Sequence, residues 1–232
     1  MKEILIFERV QCFMKKVVIY GAGCFSEIFY YEACMFGAIE IAAFTVDRAY
    51  LVSAEFCGLP VVPFEEVKET FPPTAYDMMV VTSPKRVRTR KEMYLKAKAL
   101  GYILPNYISP RAVVEPGVQM GDNNIIFSDA FIGHHAVLGS DNIIRQKVYL
   151  GHESEMGDHN VIVAGCTLGG FSRIGNLSFF GLGMVGRDRV KYGEEAFVGL
   201  GSVVTKNVED YATVIGSPAR AVSYHPDSGI VF

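Results

Sequence analysis

Two residues suited to moving a proton sit side by side in this chain, His152 and Glu153. Histidine, with an unperturbed pKa of about 6.5, can take the proton of an attacking amine or hydroxyl near neutral pH. A neighbouring carboxylate can fix its tautomer and steady the imidazolium that forms. His134 precedes His152 by 18 residues, and His135 precedes Glu153 by the same interval. His159 follows Gly157-Asp158, a turn composition, and reads as structural; the fifth histidine is His225. The five cysteines, Cys12, Cys24, Cys34, Cys57 and Cys166, are odd in number and form no CxxC pair, which suits a reducing cytoplasm better than a disulfide framework. Histidine and cysteine show no metal-ligand spacing, so no metal is expected.

The interval of 18 belongs to a repeat. Stepping by six from Val114 to Val204 meets 16 positions, and all but Gly186 carry a sizeable apolar side chain. Glycine follows at ten of the 16. Four residues after the apolar position stands a small or uncharged residue, such as Ala136, Ser154, Cys166, Ser172, Ala196 or Ser202. A helix repeats every 3.6 residues and a free strand every two. A period of six with recurrent glycine fits a short strand that turns a corner at each repeat, three sides making one coil and coils stacking as parallel strands about 4.8 Å apart. His134 then lies one coil below His152, and Gly170 one coil above it. Aspartate in place of Leu150 or Ile174 is expected to prevent folding by burying an unpaired charge, and the same change at Ser154 to be milder.

Before the repeat, strand and helix alternate. Val17-Val18-Ile19-Tyr20, Ile39 to Thr45 and Met78 to Thr82 read as buried strands; helices are expected from the glycine turn to about Phe36 and from Arg86 to Leu100. That order predicts a small parallel sheet with covering helices. The turn Gly21-Ala22-Gly23-Cys24-Phe25-Ser26 resembles GxGxxG with serine at the last position, and presents backbone N–H groups to a phosphate. Asp47 follows the second strand, where an acidic residue commonly meets a ribose or base. Thr82-Ser83-Pro84 borders the same crevice. On its own this motif predicts NAD equally well.

The chain has 232 residues, half of them apolar and a fifth charged, with net charge −3, which excludes a disordered chain and gives no basic footprint for nucleic acid. No segment reaches the roughly 18 uncharged apolar residues of a membrane span. Met14-Lys15-Lys16 looks like an alternative start, making residues 1–14 an extension.

The hexads resemble those of hexapeptide-repeat acyltransferases. With the glycine turn, they make residues 15–222 similar to the NeuD/PglD-type sugar acyltransferase family. That resemblance implies an α/β Rossmann-like nucleotide-sugar-binding domain (15–108), a left-handed parallel β-helix acyltransferase domain (109–222) and a tail (223–232). It implies a cytoplasmic enzyme of bacterial glycan biosynthesis that transfers acetyl from acetyl-CoA to a nucleotide-linked amino sugar, with sugar O-acetylation, an NAD-dependent oxidoreductase or a non-catalytic binding protein as alternatives. Carried over by position, His152 is the base, Glu153 its partner and Gly170 N–H the oxyanion donor. Gly165, Gly183, Gly201, Pro218, Ala219 and Arg220 line coenzyme A. Gly21, Gly23, Cys24, Phe25, Asp47 and Thr82 hold the nucleotide-sugar, and His134 and His135 are possible substrate contacts. Many relatives carry a further histidine where this chain has Val161. Relatives form homotrimers with the site between subunits; Phe127, Phe131, Phe171, Phe179 and Tyr149, outside the inward column, are expected at that interface.

Overall fold

The computed structural model describes residues 16–37, 39–83 and 87–230. The expected extension 1–14, with Cys12, lies outside the described residues, as does Pro84. The apolar run at the start of this region forms β1 (Lys16–Tyr20), whose Val17 to Tyr20 are fully buried. Then come α1 (Cys24–Phe36), β2 (Ile41–Val46), β3 (Glu55–Phe56), β4 (Leu59–Pro63), α2 (Val67–Thr70), β5 (Tyr76–Val80) and α3 (Val87–Ala99). The sheet runs in the order β3-β4-β2-β1-β5 and is parallel except for the β3–β4 hairpin. Strand ends differ from the sequence expectation by about two residues, and the hairpin was not anticipated. Its two-residue turn, Cys57-Gly58, has both residues at positive φ, as a type I′ turn requires.

From Tyr107–Ile108 onward the chain winds as a three-sided prism of two-residue strands, each pairing in parallel with the strand 18 residues later. Every apolar position of the six-step series from Val114 to Val204 is the second residue of such a strand. Ile126, Ile132, Leu150, Ile162, Leu168 and Val198 among them are completely or almost completely buried in one core. Each contributes about 1.5–3 kcal/mol by leaving water. The small residues of the series share that core. Ser154 is as buried as Leu150, and its Oγ accepts the Ser172 N–H, so aspartate there is no milder than at Leu150, contrary to the sequence expectation. At a corner, Asn106, Asn124, Asn142 and Asn160 form a ladder in which each side-chain oxygen accepts the backbone N–H of the next. This satisfies polar groups that the apolar pattern could not reveal.

The three faces differ in what they show outside. Ile125, Ile143, Val161 and Phe179 point outward from one face and are buried under the N-terminal sheet domain through α1 and β5; this is the covered face. Next along each coil comes an apolar open face, bearing Val113, Phe131, Tyr149, Thr167, Val185 and Val203. The third, polar open face bears Gln119, Val137, Glu155, Arg173 and Lys191. Two of the five aromatics expected at a subunit interface are therefore spoken for within the chain. Phe127 packs on Phe25 and Phe29, and Phe179 stacks on Phe197 within the seam cluster. Phe131 and Tyr149 remain on the apolar open face, stacked at 5.2 Å.

The seam also holds a buried polar lock. Arg90 of α3 is fully buried, pairs with Asp141 at 3.3 Å and donates to the carbonyls of Asp141, His159 and Asn160. Asp141 also bonds His159 Nδ1 at 2.8 Å and Asn123 Nδ2 at 2.6 Å, so His159 is structural, as its turn context indicates. Burial lowers the pKa of Arg90, and Asp141 opposes that shift.

The break at Gly186 has a steric cause. The hydroxyl end of Tyr192 occupies the space where a Gly186 side chain would stand, and that hydroxyl is buried without a hydrogen-bond partner among the described residues. Tyr192→Phe should therefore hold or raise stability by up to about 1–3 kcal/mol, while Gly186→Val should lower it by a similar 1–3 kcal/mol through overpacking. Denaturant midpoints of the two variants check both signs.

Candidate active site

Between the two open faces runs the prism edge opposite the covered face. It is built by the corners 133–135, 151–153, 169–171 and 187–189, stacked one rung apart. Each corner turns by placing its third residue in the left-handed region, which is why His135, Glu153, Phe171 and Arg189 have positive φ. The apex residue of each corner projects along this edge, and there the repeat aligns His134, His152 and Gly170.

His152 is held from several sides. Its ring lies over Gly170, where an added Cβ would stand 2.7 Å from Nε2. Phe171 meets it edge-on with ring centres 4.9 Å apart, and His134 stacks nearly parallel at 5.0 Å and 7°. His152 Nδ1 is buried with no hydrogen-bond partner among the described residues. Glu153 is exposed; its carboxylate lies within 4.8 Å of the ring nitrogens of His152 and His134, but no hydrogen bond joins it to His152. The structure thus brings the two residues together without completing the expected pair.

His134 has its own carboxylate. Glu115, one rung below, accepts the His134 backbone N–H at 2.8 Å and lies 3.2 Å from Nδ1. The sequence reading missed Glu115; the signal was its place 19 residues before His134. His135 lies over Gly117, away from His152. The Glu115–His134 bond shows what an apex N–H of this edge does when an anionic oxygen is within reach. At Gly170 the equivalent lower residue is Gly151, with no side chain, and the Gly170 N–H makes no hydrogen bond among the described residues. That open donor, one rung above the histidine, is placed to take a developing oxyanion.

The other expected contacts lie elsewhere. Gly165, Gly183 and Gly201 are left-handed residues of the edge between the covered and apolar open faces, and an added Cβ on Gly183 or Gly201 would meet nothing. Pro218, Ala219 and Arg220 belong to the closing hairpin of strands Ala212–Gly216 and Ala219–Tyr224; Ala219 packs on the core and Arg220 is exposed. Val161, where a further histidine was noted in relatives, is buried in the seam.

In the N-terminal domain, Gly21 (φ 134°) is needed because a side chain would strike the Val81 carbonyl. Ser26 replaces a glycine to good effect: its buried Oγ donates to that carbonyl at 2.6 Å and accepts the Gly23 N–H at 3.3 Å. Gly23 and Cys24 are exposed at the start of α1, and Thr82 is half-buried beside them. Phe25 is buried against Phe127, which leaves only its backbone available to a ligand. Asp47 is not free either, since its carboxylate accepts the Tyr20 hydroxyl and pairs with Lys96 at 3.2 Å.

Gly170→Ala should displace the His152 ring and lower kcat by roughly 10²-fold or more, in the range of removing one oxyanion donor or one base, while the melting temperature changes by only a few degrees. Steady-state kinetics beside a thermal melt decides this, and wild-type turnover would remove the Gly170–His152 contact from the chemistry.

No family model and no curated protein sequence matches the chain. Solved structures do. The acetyltransferase domain of PglB from Neisseria gonorrhoeae FA1090 is 26% identical, with a TM-score of 0.82, over 90% of this chain and 100% of that one. PerB from Caulobacter crescentus, in complex with CoA and GDP-perosamine, is 25% identical with a TM-score of 0.81, over 90% and 97%. A mutant of perosamine N-acetyltransferase from the same organism, with the same two ligands, is 24% identical with a TM-score of 0.82, over 90% and 97%. The expected fold, an α/β domain followed by a left-handed parallel β-helix, is the fold of this chain. Its structural neighbours are sugar acetyltransferases of the hexapeptide-repeat family.

Proposed function

We propose that this chain transfers the acetyl group of acetyl-CoA to the amine of a nucleotide-linked sugar, with residues 15–108 holding the nucleotide and residues 109–222 carrying the chemistry. The observation that carries this reading is the meeting of the His152 ring and the open Gly170 N–H on one edge. Neighbours that bind CoA and GDP-perosamine support the choice of substrates. His152 takes a proton from the acceptor nitrogen as that nitrogen attacks the thioester carbonyl carbon. The carbonyl electron pair moves to oxygen, where the Gly170 N–H receives it. Collapse re-forms the carbonyl and breaks the carbon–sulfur bond. The departing thiolate takes the proton back from His152, leaving an amide and free coenzyme A. Glu153, close but unbonded, is the group that would steady the charged imidazole.

Coenzyme A runs past Gly165, Gly183 and Gly201 toward Pro218, Ala219 and Arg220, while Gly21, Gly23, Cys24 and Thr82 face the nucleotide. This arrangement cannot close within one chain. The N-terminal domain covers the face opposite the His152 edge, so a sugar held by one chain meets the histidine of another. The apolar open face, with Val113, Tyr149 and Val185 each more than two-fifths exposed, is the surface to bury between copies. We infer a homotrimer, working in the cytoplasm where acetyl-CoA is made and serving glycan biosynthesis.

Light scattering should give a mass near three times 25.6 kDa. A panel of nucleotide amino sugars with acetyl-CoA should release free thiol for at least one member. His152→Ala should lower that turnover by roughly 10²–10⁴-fold without loss of assembly. A fully active monomer would overturn the shared site, and thiol release only with hydroxyl acceptors would overturn the amine.

A further inference from the structure

The edge that carries His152 continues upward into cationic residues that no step above uses. Two rungs above His152 stand Arg187 and Arg189, and one rung further Lys206. All three are exposed, and none of their side chains makes an ion pair or hydrogen bond among the described residues. Asp188, at the apex between the arginines, offsets one charge, so the stretch stays net cationic. Arg189 is not simply extended into water: its guanidinium carbon sits 4.2 Å over the centre of the Phe171 ring. Phe171 in turn meets the His152 ring at 4.9 Å. These two steps put a forked, permanently charged donor within about 9 Å of the ring that is to take the acceptor's proton.

The span selects the anion. From an amine hydrogen-bonded to His152, one pyranose ring and one glycosidic oxygen lead to the first phosphate of a nucleotide-linked sugar, which fits the distance to Arg189. The phosphates of acetyl-CoA lie at the far end of the long pantetheine arm, well beyond it. Arginine also matches phosphate by bidentate N–H donation, which lysine cannot do. We therefore infer that Arg187 and Arg189 form a diphosphate clamp for the acceptor, closing from one subunit on a nucleotide-sugar presented by the glycine turn of its neighbour. Specificity for a diphosphate-linked acceptor over a free amino sugar then resides on the β-helix as well as in the nucleotide-binding domain. This rests on the reading of the substrate as a nucleotide-linked sugar.

The test is calorimetric and needs no turnover. The full chain would be titrated with GDP, UDP, guanosine, uridine and coenzyme A, and then repeated with Arg187→Ala, Arg189→Ala, the double variant and Arg189→Lys. At least one nucleoside diphosphate should bind the wild type more tightly than its nucleoside. The double variant should lose tenfold or more of that affinity, because the charge-assisted bonds to the diphosphate are gone. Arg189→Lys should recover only part of it, and coenzyme A affinity should move less than twofold. Unchanged diphosphate binding in the double variant would overturn the clamp, as would a loss confined to coenzyme A. A wild type that binds coenzyme A but no nucleoside diphosphate would instead sink the nucleotide-linked substrate itself.

Discussion

Parallel pairing at an interval of 18 residues is the constraint on which the rest of this molecule depends. Each rung hydrogen-bonds to the rungs above and below, so residues 18 apart in sequence stand about 4.8 Å apart in space. That spacing stacks the His134 and His152 rings and brings the His152 ring over Gly170. A loop could place one of these groups; only a rigid ladder places an imidazole, an open N–H and a cation on successive rungs without separate devices for each. The inward apolar column supplies the energy that keeps the ladder wound, and the asparagine ladder satisfies backbone donors at one corner as it climbs.

The second constraint is the seam. An apolar face of the prism would be a liability in water, and the N-terminal domain removes it by laying α1 and β5 against Ile125, Ile143 and Val161. Apolar contact alone would let the domain slide. Arg90 prevents that by reaching three backbone carbonyls on two successive corners and the carboxylate of Asp141. Burying such a pair gives little net stability, yet removing either partner is costly, because it strands a buried charge. The lock therefore acts on orientation more than on total stability. It fixes the glycine turn relative to the prism, which the proposed sharing of a site between subunits requires.

Much of this was legible from residue spacing, since the hexad period from Val114 to Val204 places the strands of that stretch and so the three rungs of the site, although strand Tyr107–Ile108, which starts the prism, was read as part of the N-terminal domain. What spacing could not show is which outward residues are covered. Phe179 looks like Phe131 and Tyr149 in the repeat, but it points from the face that the N-terminal domain occupies, and Phe127, at the corner that follows the same face, packs on Phe25 and Phe29. Nor does spacing report partners. Asp47 reads as a ligand for ribose until Tyr20 and Lys96 are seen on its carboxylate. Ser154 reads as tolerant because serine is polar, although the prism has no room for more than its hydroxyl. The Cys57-Gly58 hairpin escaped notice because cysteine is an uncommon residue in a left-handed turn position.

The proposed acetyl transfer needs an apex N–H, and the corners at His134, His152, Gly170 and Asp188 each carry one, whereas the rung below them has Pro116 at its apex and carries none. The side chains decide among them. At His134 the N–H is already taken by Glu115, an internal carboxylate in the position that an oxyanion would need. At His152 the N–H is open, because Gly133 lies below it, but the apex carries an imidazole stacked on His134, and an incoming thioester would have to displace it. At Asp188 the N–H is also open, but the residue one rung below is Gly170, which cannot act as a base. Among the described residues, three conditions coincide only at Gly170: an unpaired N–H, no side chain at the apex to block approach, and a histidine one rung beneath. Two glycines and one histidine, set by the same interval of 18, are enough to make one rung of a repetitive edge different from its neighbours.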